Sequence, residues 1–199
     1  MITQQRTLKS LLLSVAMLLC MNASAKHHQN WQLDSSNSSV SFISIKKSNI
    51  AETHTFTEFD GKVDGGTATV TIKTESIESN VDIRNQRMRE FLFETGLFPE
   101  ITIKAEVETA LAELEVGQSQ IVSLAANLSM HGVSKDINLV ARISKLSKTR
   151  LLVSSSQPVL IRAKDYNMLE GVVKLSSLVN NLAIAETVPV SFSLVFESE

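Results

Sequence analysis

The chain has 199 residues, 43% hydrophobic and 20% charged, with 19 basic against 21 acidic side chains and a net charge of −2. That is one domain by size, long enough for a substantial core. Neither the charge balance nor any run of Lys or Arg suits nucleic acid or an anionic membrane surface as partner. The one cysteine is Cys20, so the chain beyond it has no disulfide and no thiolate chemistry.

Residues 1–25 read as a secretory signal peptide. Arg6 and Lys9 form the positive start, Leu11 to Met21 is apolar but for Ser14, and Ala23-Ser24-Ala25 is a small-residue cleavage site. The apolar run is too short to span a bilayer. A lipobox would need a small residue before Cys20, and Leu19 stands there. Cleavage leaves a domain over 26–199, with a net charge of about −4, destined for the periplasm of a Gram-negative cell.

Period-2 alternation dominates the rest of the chain. Strands are expected at Trp31 to Asp34, Ser39 to Lys46, Thr53 to Val63, around Ala68-Val70-Ile72, and around Ile101-Ile103-Ala105-Val107. Later ones are Ile121 to Met130, the Ile137-Leu139-Ala141-Ile143 run, Leu151 to Ile161, and Val188 to Phe196. Each presents one apolar and one wet face, as half-buried antiparallel strands do. Phe56 and Phe59 have odd spacing, so both point inward only if a bulge lies between them. Asp64-Gly65-Gly66 suits a tight hairpin turn, and Pro189 fits a strand start.

Two segments break the alternation. Arg84 to Thr95 carries Met88, Phe91 and Leu92 at helical spacing, with Gly96 as a stop. Asp165 to Leu182 carries Met168, Val172, Leu175, Val179 and Leu182, with Asp165 as an N-cap. The sum is a mainly β fold: an antiparallel barrel of about eight strands with two short helices, wide enough to enclose one small ligand.

Sequence motifs for catalysis are sparse: no G-x-S-x-G, H-E-x-x-H, Walker loop or G-x-G-x-x-G is present. His27 and His28 sit at the expected new N-terminus, and His54 lies in a threonine-rich strand. Met88, Met130 and Met168 suit core or mouth filler better than haem ligands. Two polar clusters remain. In Asp82 to Arg89, Arg84 and Arg87 could face an anionic head group, as guanidinium suits phosphate. The other is the turn Asn127 to Lys135, which carries His131 and Lys135 between two apolar-alternating runs.

That turn resembles the L-T-I-H-G-V-T-K signature of the YceI-like family of bacterial secreted proteins. Arg84-Asn85 through Leu92-Phe93 and Phe98-Pro99-Glu100-Ile101 is similar to its R-D-x-x-L…F-F…P-x-I motif. Trp31-x-Leu33-Asp34 with Ser39-Val40-x-Phe42, and Phe56-x-x-Phe59-x-Gly61, resemble its opening strands. Asn85 stands where the family has aspartate, Ala126 where it has glycine, and Asp165-Tyr166-Asn167 where it has aspartate-aromatic-glycine.

The resemblance implies an extended lipocalin-like barrel that binds a polyisoprenoid or other long-chain amphiphile, with no catalytic residue, metal or dedicated cofactor. A bound isoprenoid or isoprenoid quinone would be its only small molecule. Phe42, Phe56, Val70, Ile103 and Phe192, on apolar faces of separate strands, are the expected tail contacts. Arg84, Arg87, His131 and Lys135 are the expected head-group contacts. Other readings stay open: a haem- or quinone-binding redox partner, an enzyme on isoprenoid phosphates with His131 as base, or a filled barrel without ligand. The choice between monomer and homodimer is open as well.

Overall fold

The first strand pairs with the last. The computed structural model describes residues 29–112 and 114–198; the expected leader 1–25 and the histidines His27 and His28 lie outside them. β1 (Trp31–Lys46) runs antiparallel to β11 (Thr187–Ser198), from Trp31 opposite Ser198 to Phe42 opposite Val190. Their register slips between Asp34 and Ser39. The Ser38 hydroxyl repairs the slip: it donates to the Asp34 carbonyl at 2.7 Å and accepts from the Val195 N–H at 2.8 Å. The two strands expected over 31–46 are therefore one strand with a bulge, which bends it and increases its twist.

The circuit continues through β9 (Arg150–Ser155), β8 (Val133–Ser147), β7 (Ser119–Met130), β6 (Glu100–Glu106), β4 (Thr67–Lys73) and β3 (Phe59–Asp64), back to β1. All pairings are antiparallel. The result is a closed eight-stranded barrel. β2 (Ile50–Phe56), β5 (Ile77–Glu78) and β10 (Val159–Arg162) extend it at one end. Alternation alone reads β2 and β3 as one strand, and β9 and β10 as another. The first pair parts at Thr57-Glu58, so a break between two strands, not a bulge within one, lets Phe56 and Phe59 both be buried. The second parts at Ser156-Gln157-Pro158, where Pro158 has no N–H to continue a ladder.

Two tight hairpins follow from left-handed backbone. Gly65 and Gly66 both have positive φ between Asp64 and Thr67. His131 (φ 50°) and Gly132 (φ 75°) do the same between Met130 and Val133. A two-residue turn with both φ positive matches the twist of the strands it joins. Pro189 lies one residue past the last β1–β11 pair, so its missing N–H deprives β1 of nothing.

Helical segments close both ends. At one end α2 (Glu108–Ala112), which the sequence pattern did not announce, follows β6, and Leu111 and Val107 cover the barrel. At the other, α1 (Asp82–Arg87) continues into a π-helical turn, Met88–Leu92, and packs against α3 (Leu169–Ser177). The helix expected over 84–95 thus begins earlier and ends sooner. Glu94 (φ 46°), not Gly96, takes the left-handed position after it. Asp165 does not cap α3: Met168 holds that place, while Asp165 sits in a 3₁₀ turn, Ala163–Tyr166, ended by Asn167 at φ 57°.

A side chain at Gly171 of α3 would collide with the Phe91 carbonyl and come within 2.9 Å of the Leu92 Cα, so only glycine lets the two lid segments cross this closely. Gly171→Ala is expected to destabilise the fold by about 1–3 kcal/mol through overpacking. A thermal melt should show a fall of roughly 2–4 °C per kcal/mol in a domain of this size.

Candidate functional site

Inward-facing side chains of the barrel do not fill it. A cavity of about 240 Å³ remains, and every lining side chain but Glu186 is apolar. Phe42, Phe56, Val70, Ile103 and Phe192 all line it, from β1, β2, β4, β6 and β11 respectively. Leu111 contributes from α2, Leu92 and Phe93 from the π turn and its end, and Met168 and Val172 from the start of α3. An apolar void of this size offers water no hydrogen bonds and readily takes an apolar guest.

The lid end of the cavity is aromatic. Phe56 and Phe93 meet edge to face at 5.6 Å, Phe42 and Phe93 at 6.4 Å, and Phe42 and Phe56 lie 6.0 Å apart. Next to this trio the polarity of the strands inverts. On β1 the inward positions pass from Val40 and Phe42 to Ser44 and Lys46, while Ile43 is exposed. On β2, opposite, they pass from Phe56 to His54 and Glu52.

These side chains form one network. Ser44 Oγ is 2.7 Å from His54 Nε2, and the imidazole packs on Phe42 with ring centroids 4.9 Å apart. Glu52 Oε1 accepts from Lys46 Nζ at 2.8 Å and from Arg84 Nη2 at 2.9 Å. Burial pushes the Glu52 carboxyl up, but the Lys46 hydrogen bond and the charges of Arg84 and Lys46 outweigh it and hold the carboxyl below its ordinary value. His54 is almost fully buried and its Nδ1 has no hydrogen-bond partner. Burial, with the nearby Arg84 charge, lowers its pKa, so the ring is neutral at pH 7.

The four expected head-group residues all lie at this end, but none lines the cavity. Arg84 is bound to Glu52. Arg87 is half-buried and has no ion pair among the described residues. His131 is buried against Phe98, ring centroids 4.2 Å apart, with Nε2 2.9 Å from Glu94 Oε2 but outside hydrogen-bond geometry. Lys135 Nζ reaches Asp165 Oδ1 at 3.3 Å. Asn85, at the family's aspartate position, keeps an acceptor's role: its Oδ1 takes hydrogen bonds from the Ser79 N–H (2.9 Å) and hydroxyl (2.6 Å). Sequence reasoning missed Ser44, Lys46 and Glu52 because alternation assigns polar residues to the wet face. Among the described residues no group of three or more His, Cys, Asp and Glu could hold a metal ion.

A closed antiparallel barrel around an apolar cavity defines the architectural class. The YceI-like domain model matches residues 31–196, and the chain belongs to that family. A polyisoprenoid-binding domain from Saccharophagus degradans, implicated in plant cell wall breakdown, is 37% identical. The match covers 85% of this chain and 98% of that one, with a TM-score of 0.82. BcnA of Burkholderia cenocepacia, 18% identical over 82% of this chain and 98% of its own, has a TM-score of 0.63 and shares the fold. No curated protein matches the chain.

The lowered His54 pKa fixes a pH dependence. As pH falls through the ordinary histidine value of 6.5, the unfolded chain takes up a proton that the folded ring resists, so stability falls. Urea midpoints should therefore rise between pH 5 and pH 7, and His54→Gln should flatten that segment. An unchanged slope in the folded variant would remove His54 as its source.

Proposed function

We propose that this protein binds the tail of a polyisoprenoid or similar long-chain amphiphile inside its barrel and so carries or sequesters it. The observation that carries this reading is the cavity wall, apolar on every strand that contributes to it. The 37% identical polyisoprenoid-binding domain supports the same ligand class. Burying about ten carbons yields ~8 kcal/mol at ~0.8 kcal/mol per CH₂, on the scale of micromolar binding before ordering terms. The tail can thus supply the affinity, and polar groups at the lid end need only orient a head. The leader-like residues 1–25 support a periplasmic location, and no helix among the described residues is long and apolar enough to cross a membrane.

Organic extraction of gently purified protein, followed by mass spectrometry, should release a long-chain lipid, and the intact protein should begin at Lys26. An empty extract, together with failure to take up farnesol added in solution, would favour a barrel without ligand. Phe192→Asp places a carboxylate on the cavity wall and should reduce lipid retention roughly tenfold or more, since an unpaired charge in an apolar site is strongly disfavoured. Far-UV circular dichroism of that variant should match the parent. Retention at parental levels in the folded variant would count against the cavity as the binding site.

A further inference from the structure

At the α2 end the barrel wall is a continuous ladder. At the lid end the paired strands run in two rows, β2-β1-β11-β10 and β3-β4-β6-β7-β8, leaving two seams. The chain stitches one of them itself. After β4 it runs beside β2, with Phe56 opposite Ile77, Thr55 opposite Glu78, and the Thr57 N–H on the Ser76 carbonyl at 3.1 Å. The other seam, between β8 and β10, has no such thread. The β8–β9 ladder ends at Ala141 opposite Ser155, and a bond from the Ser156 N–H to the Val140 carbonyl (2.8 Å) extends it by one step. Gln157 and Pro158 then lead away, and β10 pairs with β11 alone.

Cavity-lining residues stand on both rims of this unstitched seam: Ile137 on β8, Val159 and Ile161 on β10, all only half-buried. Side chains bridge it near the lid. Lys135, on β8, is 3.3 Å from Asp165 in the turn after β10, and its Nζ lies 5.9 Å from the centroid of the Tyr166 ring. Leu160, between the two lining residues of β10, is 67% exposed.

We infer that the seam between β8 and β10 is a lateral portal through which the lipid tail passes, with the Lys135–Asp165 pair as its latch. Parting it breaks no strand ladder, whereas parting the flanking pairs β8–β9 or β10–β11 breaks several backbone hydrogen bonds. Lifting the lid would instead pull α3 from its close crossing at Gly171. The latch is an ion pair of two partly exposed side chains, which holds weakly and opens readily. A tail leaving sideways passes from Val159 and Ile161 to the exposed Leu160 and stays on apolar surface.

This portal rests on the lipid-binding reading, and the test separates the two. Protein expressed from the full sequence with Cys20→Ser, Lys135→Cys and Asp165→Cys is loaded with cis-parinaric acid, which fluoresces when buried. A short bis-maleimide then tethers the two cysteines, and release to phosphatidylcholine vesicles is timed. The tether is expected to slow release by about tenfold, while the same tether between Phe91→Cys and Lys174→Cys, across the lid, leaves the rate within about twofold. Lys135→Met and Asp165→Asn, without tethers, each speed release. Release unaffected by the seam tether, or slowed only by the lid tether, overturns the portal while leaving lipid binding intact. Failure of the Cys20→Ser parent to take up parinaric acid overturns the lipid reading, and the portal with it.

Discussion

Everything in this molecule depends on the pairing of β1 with β11. Without it the sheet has two free edges and an apolar face open to water; with it, the face becomes an interior. No cysteine lies beyond Cys20 to enforce the closure, so backbone hydrogen bonds and packing must do so. The bulge between Asp34 and Ser39 is the weak point of that ladder. Ser38 bridges it with a side-chain hydroxyl that serves as donor to one strand and acceptor from the other. The wall can then stand around a void instead of collapsing into it.

The void is bounded by chemistry as much as by shape. Towards α2 the interior is apolar to the floor. Towards the lid, beyond Phe42, Phe56 and Phe93, the inward positions turn polar and ionic. The charges there satisfy one another: Glu52 accepts from both Lys46 and Arg84. His54, kept neutral by its surroundings, sits between that ionic cluster and the aromatic trio. The boundary separates an apolar interior from an ionic one within a single pair of strands.

Much of the barrel is legible in the sequence because strand faces alternate. Alternation identifies the faces of β4, β6 and β11, which is why Val70, Ile103 and Phe192 turn out to line the cavity. The odd spacing of Phe56 and Phe59 signals an irregularity, but the bulge it suggests is a break between two strands at Thr57-Glu58. Where the interior is itself polar, the same rule misleads, and Ser44, Lys46 and Glu52 pass as surface residues. α2 is too short to show a helical period. A glutamate at positive φ is not signalled by its type, so Gly96 is the natural stop where Glu94 is the actual one. Arg84, Arg87, His131 and Lys135 lie at one end of the barrel, outside the cavity lining. The carboxylates beside Arg84 and Lys135, Glu52 and Asp165, are distant in sequence and become visible only in three dimensions.

The same pairing has a consequence for the order of events in folding. Hairpins such as β3–β4 and β7–β8 join neighbours in sequence and can form early, since closing a short loop loses little chain entropy. Trp31 meets Ser198, however, at nearly opposite ends of the described chain. The barrel cannot close until its last strand has been synthesised, and such non-local contacts fold slowly. A polypeptide built this way keeps its apolar sheet face uncovered until its own synthesis is complete.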